Sequence, residues 1–189
     1  MNDVEILKKI EKKVLWLACW MIHNANHIRE NQDGLKVGGH QASSASIVSI
    51  MTALYFSILR PEDRVAVKPH ASPVFHAIQY LSGLQTKEKI ENFRGFGGAQ
   101  SYPSRTKDID DVDISTGSVG LGVAMTSFIS LIQDYIARKQ FYKNKPLGRM
   151  IALVGDAELD EGNVYECLQE GWKHDLRNVW WIIDYNRQS

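Results

Sequence analysis

The stretch Arg149–Asn186, RMIALVGDAELDEGNVYECLQEGWKHDLRNVWWIIDYN, decides the fold class of this 189-residue chain. A continuous apolar run at 149–154 predicts a buried strand, the segment 162–173 predicts a helix, and 178–183 predicts a second buried strand. This order is a βαβ unit, whose right-handed crossover makes its two strands parallel. The sequence therefore predicts an α/β fold with a parallel sheet flanked by helices.

The segments before this unit continue the alternation of helices with a short strand. Helices are predicted over about 4–29, from Ser43 or Ser44 to about 59, over 74–82 and over about 123–139, with a strand at 64–67. Residues 84–115 are polar and irregular. Because structureless loops of this length are uncommon, this segment is predicted to be an ordered surface loop with a function.

Composition and charge exclude several classes of protein. Hydrophobic residues make up 44% of the chain, which is enough to bury a core. The 22 basic and 22 acidic residues balance, so no overall attraction for nucleic acid or anionic lipid is expected. No apolar run reaches the roughly 20 residues of a membrane span. Cys19 and Cys167 form neither a metal-spaced pair nor a disulfide framework, which predicts a reducing cytoplasm.

Asp156 and Asn186 are the most informative pair of polar residues. Each follows a predicted strand, and the carboxyl ends of parallel strands form the edge where ligands bind. A carboxylate and an amide oxygen suit a hard cation such as Mg²⁺, which usually takes further oxygens from phosphates and water. A site with one carboxylate therefore predicts a phosphorylated ligand. The glycine-rich turn Gly117–Gly122, at a helix start, offers backbone N–H groups to that ligand.

Five segments of the sequence, 38–43, 68–83, 91–104, 116–122 and 155–188, resemble the motifs of a known family and occur in the same order. Segment 155–188 resembles a thiamine diphosphate motif, Gly-Asp-Gly followed about thirty residues later by an asparagine at a strand end. The other segments are GGHQAS (38–43), KPHASPVFHAIQYLSG (68–83), ENFRGFGGAQSYPS (91–104) and TGSVGLG (116–122). Together they resemble the N-terminal cofactor-binding domain of transketolase and of the homodimeric first component of pyruvate dehydrogenase, and are closest to the latter.

The resemblance implies a role for each matching position. Asp156 and Asn186 would ligate Mg²⁺ through their side chains, and Gln188 would do so through its backbone carbonyl. His70 would contact the diphosphate, and His40 would face the substrate, so both are candidate catalytic residues. The other implied contacts to thiamine diphosphate are Gly117, Val119, Gly155 and Ala157.

Two positions depart from the family's motif. Ala157 stands where the motif has its second glycine, and its methyl group is tolerable only if its φ is negative. Asp184 replaces the first of two expected asparagines, and it would add negative charge near the metal. Elsewhere, His76 is predicted to be structural, and Trp180 and Trp181 are predicted to lie in the sheet core.

The function implied by the resemblance is oxidative decarboxylation of a 2-oxo acid, pyruvate, in a dehydrogenase complex with an acyltransferase core. One alternative is transketolase, which transfers a two-carbon ketol unit between sugar phosphates, with Arg94 and Arg105 as the nearest cationic candidates for a sugar phosphate. A second alternative, which Ala157 and Asp184 favour, is an inactive binding or interface fragment. The resemblance also implies a homodimer or a second subunit, because the glutamate that activates the cofactor belongs to a pyrimidine-binding domain. Residues 1–189 are therefore expected to be a truncated cofactor domain without activity of its own.

Overall fold

The structure, a computed structural model, describes residues 3–30, 34–141 and 146–187. The chain divides into two compact units. The helical unit comprises residues 1–59 and 69–112, and the sheet unit comprises residues 60–68 and 113–189. Each unit is built from two separate stretches of sequence, so the division follows packing and not chain order.

The helical unit contains four α-helices within the described ranges. They are α1 (Asp3–His23), α2 (Gln41–Ala53), α3 (Ser72–Leu81) and α4 (Lys87–Glu91). π-Helical turns at Asn24–Ile28 and Leu54–Ile58 extend α1 and α2. α3 packs against both α1 and α2, and its residues 72–79 are all buried. Pro73 lies in the first turn of α3, where its missing N–H has no helical partner to lose.

The sheet unit confirms the predicted fold class. Its described residues form three parallel strands, β1 (Arg64–Ala66), β2 (Met150–Gly155) and β3 (Val179–Asp184), in the spatial order β1-β2-β3. Two helices, α5 (Leu121–Arg138) and α6 (Gly162–Lys173), belong to the same unit. The core cluster joins one residue of α5, two of β2 and two of α6: Val123, Ala152, Val154, Val164 and Cys167.

One buried aspartate holds the amino edge of this sheet. Asp63, directly before β1, accepts hydrogen bonds from the backbone N–H groups of Arg60 (2.9 Å) and Arg149 (2.8 Å) and from Arg149 Nε (3.0 Å). Burial alone would raise the pKa of Asp63, but the bonds from Arg149 and Arg60 outweigh it and hold the pKa far below its ordinary value. Because Arg149 directly precedes β2, Asp63 ties the starts of β1 and β2 together.

The two tryptophans of β3 differ in their surroundings. Trp181 is half-buried against the core cluster, whereas Trp180 is 41% exposed, with the Arg149 guanidinium 4.3 Å from its ring centroid. The prediction that both lie in the sheet core is therefore wrong for Trp180. The reason is that successive side chains of a strand point to opposite faces of the sheet.

The segment Gln41–Ile58, which is α2 and its π-helical turn, is long and apolar enough to cross a membrane by length and composition alone. The core helix of a soluble protein passes the same test, so this is weak evidence for a span. Several of its residues, among them Ile47, Val48 and Met51, are buried, and α2 packs against α1 and α3.

Candidate functional site

The carboxyl edge of the sheet unit gathers the residues that follow its strands. Gly155, the last residue of β2, pairs in register with Asp184, the last residue of β3, so the segments after these strands leave the sheet side by side. Lys68, two positions after β1, reaches the same edge, where its side chain pairs with Asp184. All three strands thus contribute polar groups to this edge.

A hydrogen bond ties Asp156 to the turn that follows β3. The backbone N–H of Arg187 donates to Asp156 Oδ2 at 2.8 Å. Arg187 has a φ of 57°, in the left-handed region that non-glycine residues rarely occupy. Asn186 directly precedes it, so the structure brings Asp156 and Asn186 to neighbouring positions, both half-buried. Gln188, the third predicted metal ligand, lies outside the described residues.

Asp184 is buried at this edge and is paired with a cation. Lys68 Nζ lies 2.5 Å from Asp184 Oδ2, and the two side chains are 2% and 5% exposed. Asn186 Nδ2 donates to the same carboxylate oxygen at 3.1 Å. The negative charge that Asp184 was expected to add near a metal is therefore offset by Lys68.

Ala157 lies in a short 3-10 helix, Asp156–Asp160, that starts where β2 ends. Positive φ values occur at four described non-glycine residues, Arg94, Gln140, Asp175 and Arg187, and Ala157 is not among them. The backbone there has a conformation that suits an L-residue, so the alanine causes no strain.

The glycine-rich turn before α5 is shaped by close packing at one glycine and open space at another. Gly120 has a φ of 77°, and a Cβ there would lie 2.6 Å from Asn163 Oδ1. A Cβ on Gly117 would meet no atom within 4 Å, and Val119 is 42% exposed. Thr116 Oγ1 donates to the Val67 carbonyl at 2.7 Å and anchors the turn to the end of β1. The predicted positions Gly117 and Val119 are thus open to a ligand.

In the helical unit, the structure brings the two predicted histidines together. The ring centroids of His40 and His70 are 4.2 Å apart, and both residues are exposed. Ser44 bonds to both backbones: its N–H donates to the His40 carbonyl at 2.9 Å, and its Oγ donates to the His70 carbonyl at 3.2 Å. Ser44 is fully buried, so the two histidine backbones are bonded to one residue of the core.

The family model described as transketolase, thiamine diphosphate binding domain, matches residues 38–189. The chain belongs to this family. The match includes the histidine pair, the glycine-rich turn and the carboxyl edge of the sheet. It excludes the whole of α1, which spans Asp3–His23.

Curated relatives of this transketolase-family chain include pyruvate dehydrogenase E1 components and a transketolase-like protein. The pyruvate dehydrogenase E1 component of Mycolicibacterium smegmatis is 26% identical over 99% of this chain and 21% of its own length. Transketolase-like protein 2 of Mus musculus is 30% identical over 79% of this chain and 24% of its own length. The chain therefore spans about a fifth to a quarter of the length of these relatives.

Solved structures of transketolases share the fold. A transketolase variant from Pichia stipitis matches with a TM-score of 0.83 and 22% identity over 97% of this chain and 27% of its own. Transketolase from Leishmania mexicana matches with a TM-score of 0.79 and 18% identity over 94% of this chain and 27% of its own. At these identities the likeness supports the fold alone.

The polar groups at the carboxyl edge fit the cofactor of the family. The Asp156 carboxylate and the Asn186 amide are hard oxygen ligands of the kind that Mg²⁺ prefers, and they are neighbours. The open space at Gly117, just before the amino end of α5, leaves room for a ligand to approach the backbone. Neither departure from the motif, Ala157 or Asp184, introduces strain or an unpaired charge.

Glu158 is a half-buried acidic residue at this edge, and the sequence alone did not single it out as part of the candidate site. Burial raises the pKa of Glu158, while Lys68 and hydrogen bonds from the backbones of Gly120 and Gly155 act in the opposite direction. Its carboxylate thus joins the glycine-rich turn to the end of β2. No local pattern singles out Lys68 either, because its partner Asp184 is 116 positions away.

His76 has the structural place predicted for it, in the core of the helical unit. Its Nδ1 lies 2.7 Å from Asp110 Oδ2, and its Nε2 lies 2.7 Å from the Gln100 carbonyl. Burial opposes the charge, but the hydrogen bond and charge of Asp110, with Asp108, outweigh it and raise the pKa of His76. His76, Asp108 and Asp110 could together ligate a metal by proximity. Both ring nitrogens are already hydrogen-bonded, however, which favours a structural ion pair.

Proposed function

We propose that this chain provides the thiamine diphosphate and Mg²⁺ site of an enzyme that oxidatively decarboxylates a 2-oxo acid, with pyruvate as substrate. The match to pyruvate dehydrogenase components extends over 99% of the chain, against 79% for the mouse transketolase-like protein. When bound, thiamine diphosphate supplies a carbanion that attacks the substrate carbonyl and then accepts its electrons. The chain's own residues hold that cofactor and orient the substrate.

The observation that carries this proposal is the hydrogen bond from the Arg187 N–H to Asp156 Oδ2. It joins Asp156 to the residue that follows Asn186, and a carboxylate and an amide oxygen on neighbouring segments are ligands that one Mg²⁺ ion could share. The proposed Mg²⁺ ligands are Asp156, Asn186 and the backbone carbonyl of Gln188. The proposed backbone contacts to the cofactor are Gly155 and Ala157 at the diphosphate and Gly117 and Val119 at the aminopyrimidine.

The two histidines are proposed to act on the ligands of this site. His70 would donate a hydrogen bond to the diphosphate, and His40 would exchange a proton with the substrate, because imidazole can act as acid or base near neutral pH. Both side chains are exposed on the helical unit, as a residue that meets a ligand requires. Ser44 keeps their backbones in a fixed relation.

Transketolase activity is the second candidate, and the 30% identity to the mouse transketolase-like protein favours it. An enzyme of sugar phosphates needs cationic side chains for the distal phosphate. Arg94 was one candidate, and its Nη1 donates to the Val37 carbonyl at 2.8 Å, while its buried Nε has no hydrogen-bond partner among the described residues. An inactive binding fragment is less favoured, since Ala157 and Asp184 both fit their surroundings.

A direct assay of the complete protein, with any partner subunit, separates these functions. Cleavage of pyruvate with an artificial electron acceptor is compared with ketol transfer from xylulose 5-phosphate, both with saturating thiamine diphosphate and Mg²⁺. The expected result is cleavage of pyruvate without ketol transfer from xylulose 5-phosphate. Ketol transfer alone would make the protein a transketolase, and cofactor binding without either activity would make it a binding fragment.

The cofactor site is tested by Asp156→Ala, with Asp160→Ala as the matched control in the same 3-10 helix. Loss of a direct metal ligand should weaken binding by at least the roughly 10–100-fold typical of residues that only support a ligand. Calorimetric titration of thiamine diphosphate with Mg²⁺ into the complete protein measures this effect. Asp160 is exposed, so its variant should bind as the unsubstituted protein does. Equal dissociation constants for both variants would contradict the site.

The proposal includes a second copy or subunit that covers an apolar surface of the sheet unit. α5 exposes Phe128, Ile132 and Tyr135, and α6 exposes Tyr165, Leu168 and Trp172, each at least half exposed. Apolar side chains grouped on two adjacent helices are typical of a protein interface. Light scattering of the complete protein should show a dimer or a complex with the second subunit, and Trp172→Glu should weaken it.

Residues 1–189 expressed alone are expected to show no turnover, because the resemblance assigns the glutamate that activates the cofactor to another domain. As a dehydrogenase component, the protein would pass its acyl group to an acyltransferase core. The free thiols of Cys19 and Cys167 are consistent with a cytoplasmic location, which cell fractionation would test.

A further inference from the structure

A buried ion pair links the two outer strands of the sheet unit across the end of the middle one. Lys68 follows β1 and Asp184 ends β3, with β2 between them, yet Lys68 Nζ and Asp184 Oδ2 are 2.5 Å apart. The lysine passes over the end of β2 at Gly155, where a Cβ would lie 4.0 Å from Nζ. The pair is thus built into the sheet edge that carries the cofactor motif.

The same carboxylate also determines how the amide of Asn186 is turned. Asp184 Oδ2 accepts a hydrogen bond from Asn186 Nδ2 at 3.1 Å. An ionised carboxylate can only accept hydrogen bonds, so it selects the NH₂ end of the amide and repels the oxygen end. Asn186 therefore presents its Oδ1, the atom that a cation requires, on the side away from Asp184.

We propose that Lys68 and Asp184 are positioning residues for metal binding. In this arrangement, which rests on the proposed function, the Lys68 ammonium fixes and neutralises the buried carboxylate, and the carboxylate orients the Asn186 amide with its oxygen toward Mg²⁺. Asp184 contributes orientation to the site, and its carboxylate is held in an ion pair with Lys68. Partners of this kind behind a metal ligand typically change metal affinity about 10–100-fold.

Single substitutions at Lys68 or Asp184 cannot tell a positioning role from a purely structural one. Removing one partner of a buried ion pair destabilises a protein in either case. The informative comparison removes both charges and changes whether the side chain at position 184 can accept the hydrogen bond from Asn186. Asparagine and leucine are both close enough in size to aspartate to be compared at position 184, but only asparagine can accept that bond.

The test uses two double variants of the complete protein, Lys68→Met with Asp184→Asn and Lys68→Met with Asp184→Leu. Mn²⁺, which prefers the same oxygen ligands as Mg²⁺, is titrated by electron paramagnetic resonance with saturating thiamine diphosphate. Thermal unfolding without metal is measured in parallel. The asparagine variant should bind Mn²⁺ within about 3-fold of the unsubstituted protein, and the leucine variant should bind it about 10–100-fold more weakly at similar stability.

Equal dissociation constants in the two double variants would overturn the positioning role. If the double variants that carry Lys68→Met do not fold, Lys68→Gln replaces that substitution in both, because glutamine can still hydrogen-bond at this position. Failure of the unsubstituted protein to bind Mn²⁺ with thiamine diphosphate would overturn the proposed function as well. Binding by the unsubstituted protein with no difference between the variants would overturn the positioning role alone.

Discussion

The two edges of the sheet unit each bury an aspartate against a cation, and the two aspartates differ in what else they bind. At the amino edge, Asp63 accepts hydrogen bonds from two backbone N–H groups and from the Arg149 guanidinium, and these groups lie where β1 and β2 begin. At the carboxyl edge, Asp184 takes Lys68 and the side-chain amide of Asn186, a candidate metal ligand. Both carboxylates are buried, so only their partners distinguish the structural role of Asp63 from the role proposed for Asp184.

The largest effect is expected from breaking the amino edge. Asp63→Ala would leave Arg149 and two backbone N–H groups without their acceptor and should lower the free energy of unfolding by about 3–5 kcal/mol. Urea denaturation measures this loss. Thiamine diphosphate affinity of the folded protein should not change, since Asp63 lies at the edge opposite the cofactor motif.

Glu170→Ala is the control for this loss. Glu170 also pairs with a cation, Lys173, but both side chains are exposed, so a loss of at most about 0.5 kcal/mol is expected. A similar loss in both variants would mean that burial does not distinguish the two pairs.

A smaller effect is expected from the glycine-rich turn at the carboxyl edge. Gly120→Ala would place a methyl group 2.6 Å from Asn163 Oδ1 at a φ of 77°, and a non-glycine residue in this conformation costs about 1–3 kcal/mol. Gly171→Ala is the control with the opposite sign. Its Cβ would meet no atom within 4 Å inside α6, so alanine should stabilise the helix by roughly 0.5–1 kcal/mol. Thermal unfolding of both variants tests the pair, and a stable Gly120→Ala would contradict the close packing of this turn.

The smallest expected effect is a pH dependence at a third buried pair, His76 with Asp110 in the helical unit. Because the folded state raises the pKa of His76, the pair contributes its full stability below the unfolded pKa of roughly 6.5. This contribution is lost as pH rises through the folded pKa. The groups that face His76 are Asp110, Asp108 and the Gln100 carbonyl. Urea midpoints should therefore fall further between about pH 6 and about pH 9 for the unsubstituted protein than for His76→Gln, and parallel changes would show that another group titrates.

Much of the sheet unit was predictable because its signals are local. The run 149–154 and the segment 162–173 carry their own periodicity and turn residues, and the helix over 162–173 forms as predicted. The convergence of Asp156 and Asn186 follows from the geometry of a βαβ unit. Ala157 could be judged only once its backbone conformation was known, since sequence does not report the sign of φ.

The remaining features arise from contacts between distant segments. Lys68 and Asp184 are 116 positions apart, so no window of sequence contains both. The π-helical turns that extend α1 and α2 have no signature in the apolar spacing, which predicts continuous helices. The exposure of Trp180 was missed because an uninterrupted apolar run does not tell which residues face each side of the sheet.

Ser44 places a constraint on how this protein can evolve. Its N–H and hydroxyl bond to the carbonyls of His40 and His70, which lie in separate segments of the sequence but share one fully buried anchor. A substitution that shifts the first turn of α2 would therefore disturb the backbones of both histidines. Loss of the Ser44 hydroxyl alone would release only the His70 carbonyl, because the backbone N–H at position 44 bonds to His40 whatever the side chain.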